Sequence, residues 1–321
     1  MGVYHLMGLG RSVGAITGPL SYLAQRYQHW NAEDRQFFAR SGEVKQRQQG
    51  QKVGDVQALV LFTTPEVLSG DLSCFDYVDN PPGRIAEGHV QKGGATKETL
   101  RRLLRREWPT IAGGRKIGTI FWCEVDRRDI RSTYEHIIQV VAALSDVGGQ
   151  GKEMWVNLTG GNNVLNFALE LAATLSGDVA RLYYVQAENP AAEKCVRFTA
   201  QNGYWVELPV MLLALGRLTL AILEMLEQGT ISAADLYSRA CTKYWDLMHG
   251  LDSLEAFVEG YLKPMWKQGL IAEADNDYII GLQWKLIKPY QERLQEARQL
   301  NLTLEQLAQR EPWIEREEIT F

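Results

Sequence analysis

Cysteine is scarce in this chain of 321 residues: Cys74, Cys123, Cys195 and Cys241 are all there is, and no two form a CxxC pair. That spacing offers neither a disulfide framework nor a cysteine zinc site, so reduced thiols in a cytoplasmic protein are expected. Long apolar runs are absent as well. No stretch approaches the roughly 18 to 20 residues that span a bilayer, and no membrane association is expected. The opening "MGVYHLMGLG" has no basic region ahead of an apolar stretch, and Leu6 stands where a myristoylation signal needs Ser or Thr. Neither a secretory leader nor a lipid anchor is expected.

Several catalytic signatures are missing too. No Gly-Lys-Ser/Thr phosphate loop occurs anywhere. "MGLGRSVG" places Gly8, Gly10 and Gly14 after an apolar strand, but Val13 sits where a dinucleotide fingerprint requires its third glycine. The second strand ends in Thr63-Thr64 instead of the acid that would hold a ribose, so a nicotinamide-dependent dehydrogenase fits poorly. His89 and His136 lack partners at metal-ligand spacing, and His5 lies inside an apolar strand, the setting of a core histidine. No Ser-His-Asp or Cys-His set can be assembled. Neither a metal nor a cofactor is expected.

What is present is an ordinary globular composition, 45% hydrophobic and 23% charged. The charge is uneven. Residues 211–321 hold 11 Lys+Arg against 17 Asp+Glu, a net of −6, while the rest of the chain is close to neutral at +1. DNA affinity rests largely on phosphate neutralisation, so the acidic segment disfavours, without excluding, DNA as a partner.

Apolar strands alternate with amphipathic helices over the first two thirds. Strands are expected at 3–9, 56–62, 117–125, 153–158 and 180–187, with helices after the first strand and at 131–145 and 163–176. Residues 31–54 read as a polar surface excursion and 70–95 as a loop. "KETLRRLLRREW" reads as a basic helix that stops at Pro109; its Arg101, Arg102, Arg105 and Arg106 suit a solvated face or a polyanion contact. "KCVRFTAQNGYWVELP" reads as a hairpin turning at Asn202-Gly203. Strands apolar on both faces predict an α/β fold with a parallel sheet covered by helices on each side. Trp155, Tyr183 and Tyr184 are expected in its core. From Val210 the pattern turns helical, and helix, helix, helix, two-stranded wing is the order of a winged helix-turn-helix domain. The expected organisation is an α/β domain over 1–208, a winged-helix domain over 209–300, and a C-terminal helix with a fraying acidic tail over 301–321.

Three strand ends finish in small polar residues: Gly10-Arg11-Ser12, Thr63-Thr64 (with Glu66 beyond) and Thr159-Gly160-Gly161-Asn162-Asn163. Each has two readings. The first is packing, with glycines easing the turn and Ser12, Thr159 or Asn162 capping the next helix. The second is a ligand rim, where backbone N–H groups at helix N-termini face a phosphate and Arg11 supplies charge. In an open parallel sheet such ends share one edge, which favours the rim.

"GLGRS", "LVLFTTPEV" and "VNLTGGNNVLNFAL" together resemble the CARF domain, the Rossmann-like sensor of type III CRISPR defence. The resemblance covers about residues 1–208 and rests most on "TGG" followed by an amphipathic helix. It implies a homodimer that binds cyclic tetra- or hexa-adenylate across its two-fold axis. With the helical segment behind it, the chain is similar to ring nucleases and to CARF-containing transcription regulators of CRISPR loci. A ring nuclease cuts its ligand without metal, through attack of the ring's own 2′-hydroxyl. Ser12 aligns with the hydroxyl residue of that family's first loop, and Arg11 and Asn162 are its expected helpers. Where relatives often carry Lys or Arg after "TGG", this chain has Asn162-Asn163. The RxxxxH nuclease motif of the CARF ribonucleases is not present at the C-terminus.

Overall fold

A computed structural model describes residues 2–10, 13–29, 31–39, 56–69, 73–75, 92–111, 117–145, 151–187, 203–210, 215–275 and 277–320. The chain forms two compact units. One comprises Met1–Leu212 together with Glu296–Phe321, the other Leu213–Gln295.

The first unit is built on a seven-stranded sheet. Its strands are β1 (Val3–Gly8), β2 (Val56–Thr63), β5 (Ile117–Glu124), β6 (Glu153–Asn157), β7 (Val179–Ala187), β8 (Gly203–Leu208) and β12 (Ile314–Thr320), in the order β12-β5-β2-β1-β6-β7-β8. The five central strands pair in parallel, and β8 and β12 close the two edges antiparallel. Read from β1 outward, the parallel set has the order of a doubly wound, Rossmann-like α/β sheet, with its switch point between β1 and β6. All six residues of β1 and seven of the eight in β2 are buried, as strands covered on both faces require.

One face of the sheet carries α1 (Gly14–His29), α2 (Ala32–Ala39) and α4 (Thr96–Ile111). Their Leu20, Leu23, Phe38, Leu104 and Trp108 join Leu59, Leu61 and Trp155 of the strands in one apolar cluster. The sheet unit also carries α5 (Ile130–Leu144) and α6 (Asn163–Ser176). Asp129 caps α5 by accepting from the Arg131 and Ser132 amides, and Gly177 ends α6 in the left-handed region at φ 70°.

Several local expectations are corrected. Residues 32–39 are helical instead of a polar excursion, because Phe37 and Phe38 anchor α2 in the core; 40–55 lie outside the described residues. Within 70–95, β3 (Ser73–Phe75) and β4 (Lys92–Ala95) form an antiparallel pair. The basic helix does not stop at Pro109 but runs to Ile111, and fully buried Trp108 holds its last turn. Tyr184 is 37% exposed, unlike its buried neighbours Tyr183 and Val185. The C-terminal tail does not fray. It forms β12, whose acids are matched from α4: Lys97 meets Glu315 at 2.6 Å and Arg101 meets Glu317 at 2.7 Å. The Trp122 indole also donates to Glu317 at 2.8 Å. Burial opposes ionisation of Glu317, yet Arg101 and Trp122 hold its carboxyl below the usual range.

The second unit runs α7 (Arg217–Leu226), β9 (Ile231–Ser232), α8 (Ala233–Lys243), α9 (Leu254–Phe257), a π turn (Val258–Leu262) and α10 (Lys263–Lys267). The strands β10 (Ile271–Ala274) and β11 (Asp277–Ile280) follow, and β11 also pairs with β9. The two-stranded wing expected over 271–287 ends at Ile280, and residues 282–287 instead open α11 (Leu282–Leu300); α12 (Leu304–Arg310) then leads to β12. Ile222, Leu236, Phe257 and Leu262 are fully buried and form the centre of this unit.

Candidate functional site

Two bends meet at the carboxyl ends of β1 and β6. The β1 exit, Gly8-Leu9-Gly10, is tied down on its far side. The Leu9 amide donates to the Phe62 carbonyl at 2.8 Å, and the Thr63 hydroxyl donates to the Leu9 carbonyl at 2.9 Å. The β6 exit is braced by Asn157, a fully buried polar residue. Its Nδ2 donates to the Ala15 carbonyl at 3.2 Å, and its Oδ1 accepts from the Thr159 amide at 2.8 Å. The Thr159 hydroxyl in turn accepts from the Val185 amide at 2.8 Å. This network spans β6, the start of α1 and β7.

The glycines divide into two kinds. A Cβ on Gly160 would lie 2.3 Å from the Gly8 carbonyl oxygen and 2.6 Å from the Ala15 Cβ. Gly161 has φ +85°, and a Cβ there would meet Leu165 Cδ2 at 2.9 Å. Packing alone therefore requires the double glycine of "TGG". Gly10 is different. Among the described residues outside its chain neighbours, a Cβ on it would meet nothing closer than Gly161 Cα, at 3.9 Å.

The expected site residues sort accordingly. Gly10, Gly160 and Gly161 come together at the switch point. Asn162 caps α6, its Oδ1 accepting from the Leu165 amide at 2.9 Å, and Asn163 beside it is exposed. Thr63, expected on a ligand-facing edge, is instead fully buried and braces Leu9. Thr64 and Glu66 lie at the start of α3 (Pro65–Ser69). Arg11 and Ser12 lie outside the described residues.

Reading strand ends missed three residues. Asn157 shows in sequence only as a polar residue closing an apolar strand. The other two are Arg127 and Arg128, in the turn that follows β5. An Arg127 guanidinium nitrogen lies 3.7 Å from a Glu66 carboxylate oxygen. The Thr64 hydroxyl and the Glu66 amide hold the Glu66 carboxyl below its ordinary range, with Arg127 and Arg128 adding to the effect. The rim thus brings the half-buried backbone at Gly10, the α6 N-terminus and a mixed-charge cluster to one edge of the sheet. A helix N-terminus with backbone of this kind suits an anion. Among the described residues, no group of three His, Cys, Asp or Glu is placed to hold a metal ion, and no helix is long and apolar enough to cross a membrane.

Fold and rim define a doubly wound α/β protein with its candidate site at the sheet's switch point. No family model matches the chain. It is similar to an uncharacterized protein of Archaeoglobus fulgidus, 25% identical over 232 residues that span 67% of this chain and 70% of that protein.

Proposed function

We propose that this chain is a CARF-type protein of type III CRISPR defence that binds a cyclic oligoadenylate and degrades it as a metal-independent ring nuclease. One observation carries the reading: the two glycine bends meet at the switch point, and a Cβ at Gly10 would come no closer than 3.9 Å to any described residue beyond its chain neighbours. Backbone at that position can approach a phosphate with no Cβ in the way.

In the proposed reaction a ribose 2′-oxygen attacks the adjacent phosphorus and the bond to the 5′-oxygen breaks. The 2′-hydroxyl proton is lost, the departing 5′-oxygen gains one, and a linear product with a 2′,3′-cyclic phosphate results. Ser12 and Arg11 are the residues assigned to holding the in-line geometry and the developing charge. Asn162 uses its Oδ1 as the α6 cap, which leaves its amide N–H groups as the donors it would offer. A cyclic ligand with rotational symmetry suits a two-fold homodimer that presents the same rim twice. Phe167, 61% exposed in α6, is an apolar group that such a partner would cover.

The second unit supports an alternative, a ligand-responsive winged-helix regulator or a sensor that does not cleave. Its order of helices followed by the β10–β11 pair fits a winged helix-turn-helix. Its charge does not favour DNA: Lys263 is engaged by Glu259 one turn away, and Lys288 pairs with Glu227 at 2.9 Å. The test is to incubate the protein with labelled cyclic tetra- and hexa-adenylate in EDTA and resolve the products. A linear product ending in a 2′,3′-cyclic phosphate, lost in Ser12→Ala while binding persists, is expected. Retention of an intact ring points to the sensor, and a salt-dependent shift of promoter DNA points to the regulator.

A further inference from the structure

We propose that Arg127 and Arg128, in the turn after β5, form a second phosphate subsite of the rim and make it selective for ligands that carry several phosphates. The inference rests on the reading of the rim as an oligoadenylate site and extends that site by two strands. Because β5, β2 and β1 are parallel neighbours in the sheet, their carboxyl ends share one edge. Two strand spacings, about 10 Å, separate the exits of β1 and β5. A single phosphate cannot bridge that span. A chain of phosphodiesters can.

The turn that presents the arginines is held from several sides. An Asp126 carboxylate oxygen accepts from the Arg128 amide at 2.8 Å, and the Thr133 hydroxyl donates to the Asp126 carbonyl at 2.6 Å. Asp129 closes the turn as the cap of α5. On the other side the Val125 amide donates to the Thr63 carbonyl at 2.9 Å, and the Thr63 hydroxyl donates in turn to the Leu9 carbonyl. The exits of β5, β2 and β1 are thereby fixed to one another. Such a backbone keeps two cations at a set distance from the glycine bends.

The side chains, unlike the turn, are loosely held. Both arginines are exposed. Among the described residues Arg127 has one ion pair, the 3.7 Å contact with Glu66, and Arg128 has none. An exposed pair of that length is weak and gives way to a better partner. Glu66 does not depend on it, since the Thr64 hydroxyl and the Glu66 amide already hold its carboxylate. A phosphate offers a guanidinium two oxygens at once, which the single Glu66 contact does not. The pair therefore parts readily, and the arginine that is released faces a polyanion. A divalent cation would be repelled by the two guanidinium groups, and a lone carboxylate or monophosphate would use this subsite or the glycine bends but not both.

The test measures binding of cyclic tetra-adenylate, cyclic hexa-adenylate, linear hexa-adenylate and adenosine monophosphate to the full chain over a range of salt concentrations. Wild type is compared with Arg127→Gln and Arg128→Gln, which remove one exposed charge each. At least one oligoadenylate should bind wild type more tightly than the monophosphate does. Each variant should weaken that oligoadenylate by about tenfold, the worth of one charge-assisted hydrogen bond. Each should also flatten the slope of log affinity against log salt by about 0.7, the single-strand value for one phosphate contact. If a ring binds and both variants match wild type in affinity and slope, the subsite is overturned while the reading of the rim stands. If neither ring binds but linear hexa-adenylate does, and the variants weaken it, the subsite stands and the ring reading falls. Binding of none of the three oligoadenylates, or of the monophosphate as tightly as any of them, overturns the subsite as well.

Discussion

The rim and a cleft of the same sheet unit are made of opposite materials. At the switch point of the rim the working surface is backbone: a Cβ on Gly10 would crowd no described residue beyond its chain neighbours, Gly160 and Gly161 pack against Gly8, and side chains such as Thr63, Asn157 and Thr159 face inward to brace the bends. The cleft between α1, α2 and β8 is instead lined by residues with large or charged side chains, among them Tyr22, Phe37, Trp205, Arg26, Glu33 and Glu207. A backbone surface suits phosphates, which take several N–H groups with little need for formal charge. A side-chain surface places charge and hydrogen-bond direction more selectively. The glycines of the rim divide as well, into Gly160 and Gly161, where packing leaves no room for a Cβ, and Gly10, where a Cβ meets no described residue beyond its chain neighbours within 3.9 Å.

That division can be broken by substitution. The largest effect is expected at Gly160, where a Cβ would collide with the Gly8 carbonyl oxygen and the Ala15 Cβ. Gly160→Ala should cost roughly 3 kcal/mol in a denaturant titration, because a backbone atom cannot step aside. A loss under about 0.5 kcal/mol would remove the packing account of "TGG".

On the side-chain half, the cluster around Trp205 includes His5, whose Nδ1 lies 2.9 Å from the Tyr183 hydroxyl. Burial, with Arg181 adding, lowers the His5 pKa from 6.5 to about 3. Between those values the unfolded chain binds a proton that the folded chain excludes. The stability this group contributes is therefore full above about pH 6.5 and falls as pH drops toward 3, by up to about 1.4 kcal/mol per pH unit. Unfolding of wild type and His5→Gln at pH 7 and pH 5 should show the smaller acid loss in the variant. An equal loss would contradict the buried neutral imidazole.

A smaller cost is expected at Asn162. Asn162→Ala removes the α6 cap and should cost about 1 kcal/mol, while Asn162→Asp should keep the cap. The smallest effect on stability belongs to Gly10→Ala, within about 0.5 kcal/mol of wild type. If the rim holds a cyclic oligoadenylate, this near-silent variant should nevertheless weaken binding. Equal affinity would return Gly10 to the ordinary turn glycines.

Much of the sheet unit was legible because it is local. β1, β2, β5, β6 and β7 are continuous apolar runs, and a run buried on both faces announces itself without reference to distant residues. β12 did not, since only Ile314 and Ile319 of its seven residues are buried. Its acids make sense only beside Lys97 and Arg101, more than two hundred residues earlier. In the same way α2 looked polar because its meaning rests on Phe37 and Phe38 alone. At the rim, the glycine bends could be read as a motif, but their division could not. That a Cβ would be crowded at Gly160 and not at Gly10 depends on how β1 meets β6. The cleft left no sequence signal, because its residues at 22, 26, 33, 36, 37, 205 and 207 come from three elements that only the fold assembles.

The central claim is that the rim receives a cyclic oligoadenylate shared by two copies of the chain. Titrating the intact protein with cyclic tetra-adenylate and cyclic hexa-adenylate by calorimetry tests it most directly. Saturable binding of one of the two rings, at one ring per two chains, is predicted. No binding of either ring, or one ring for every chain, would contradict it.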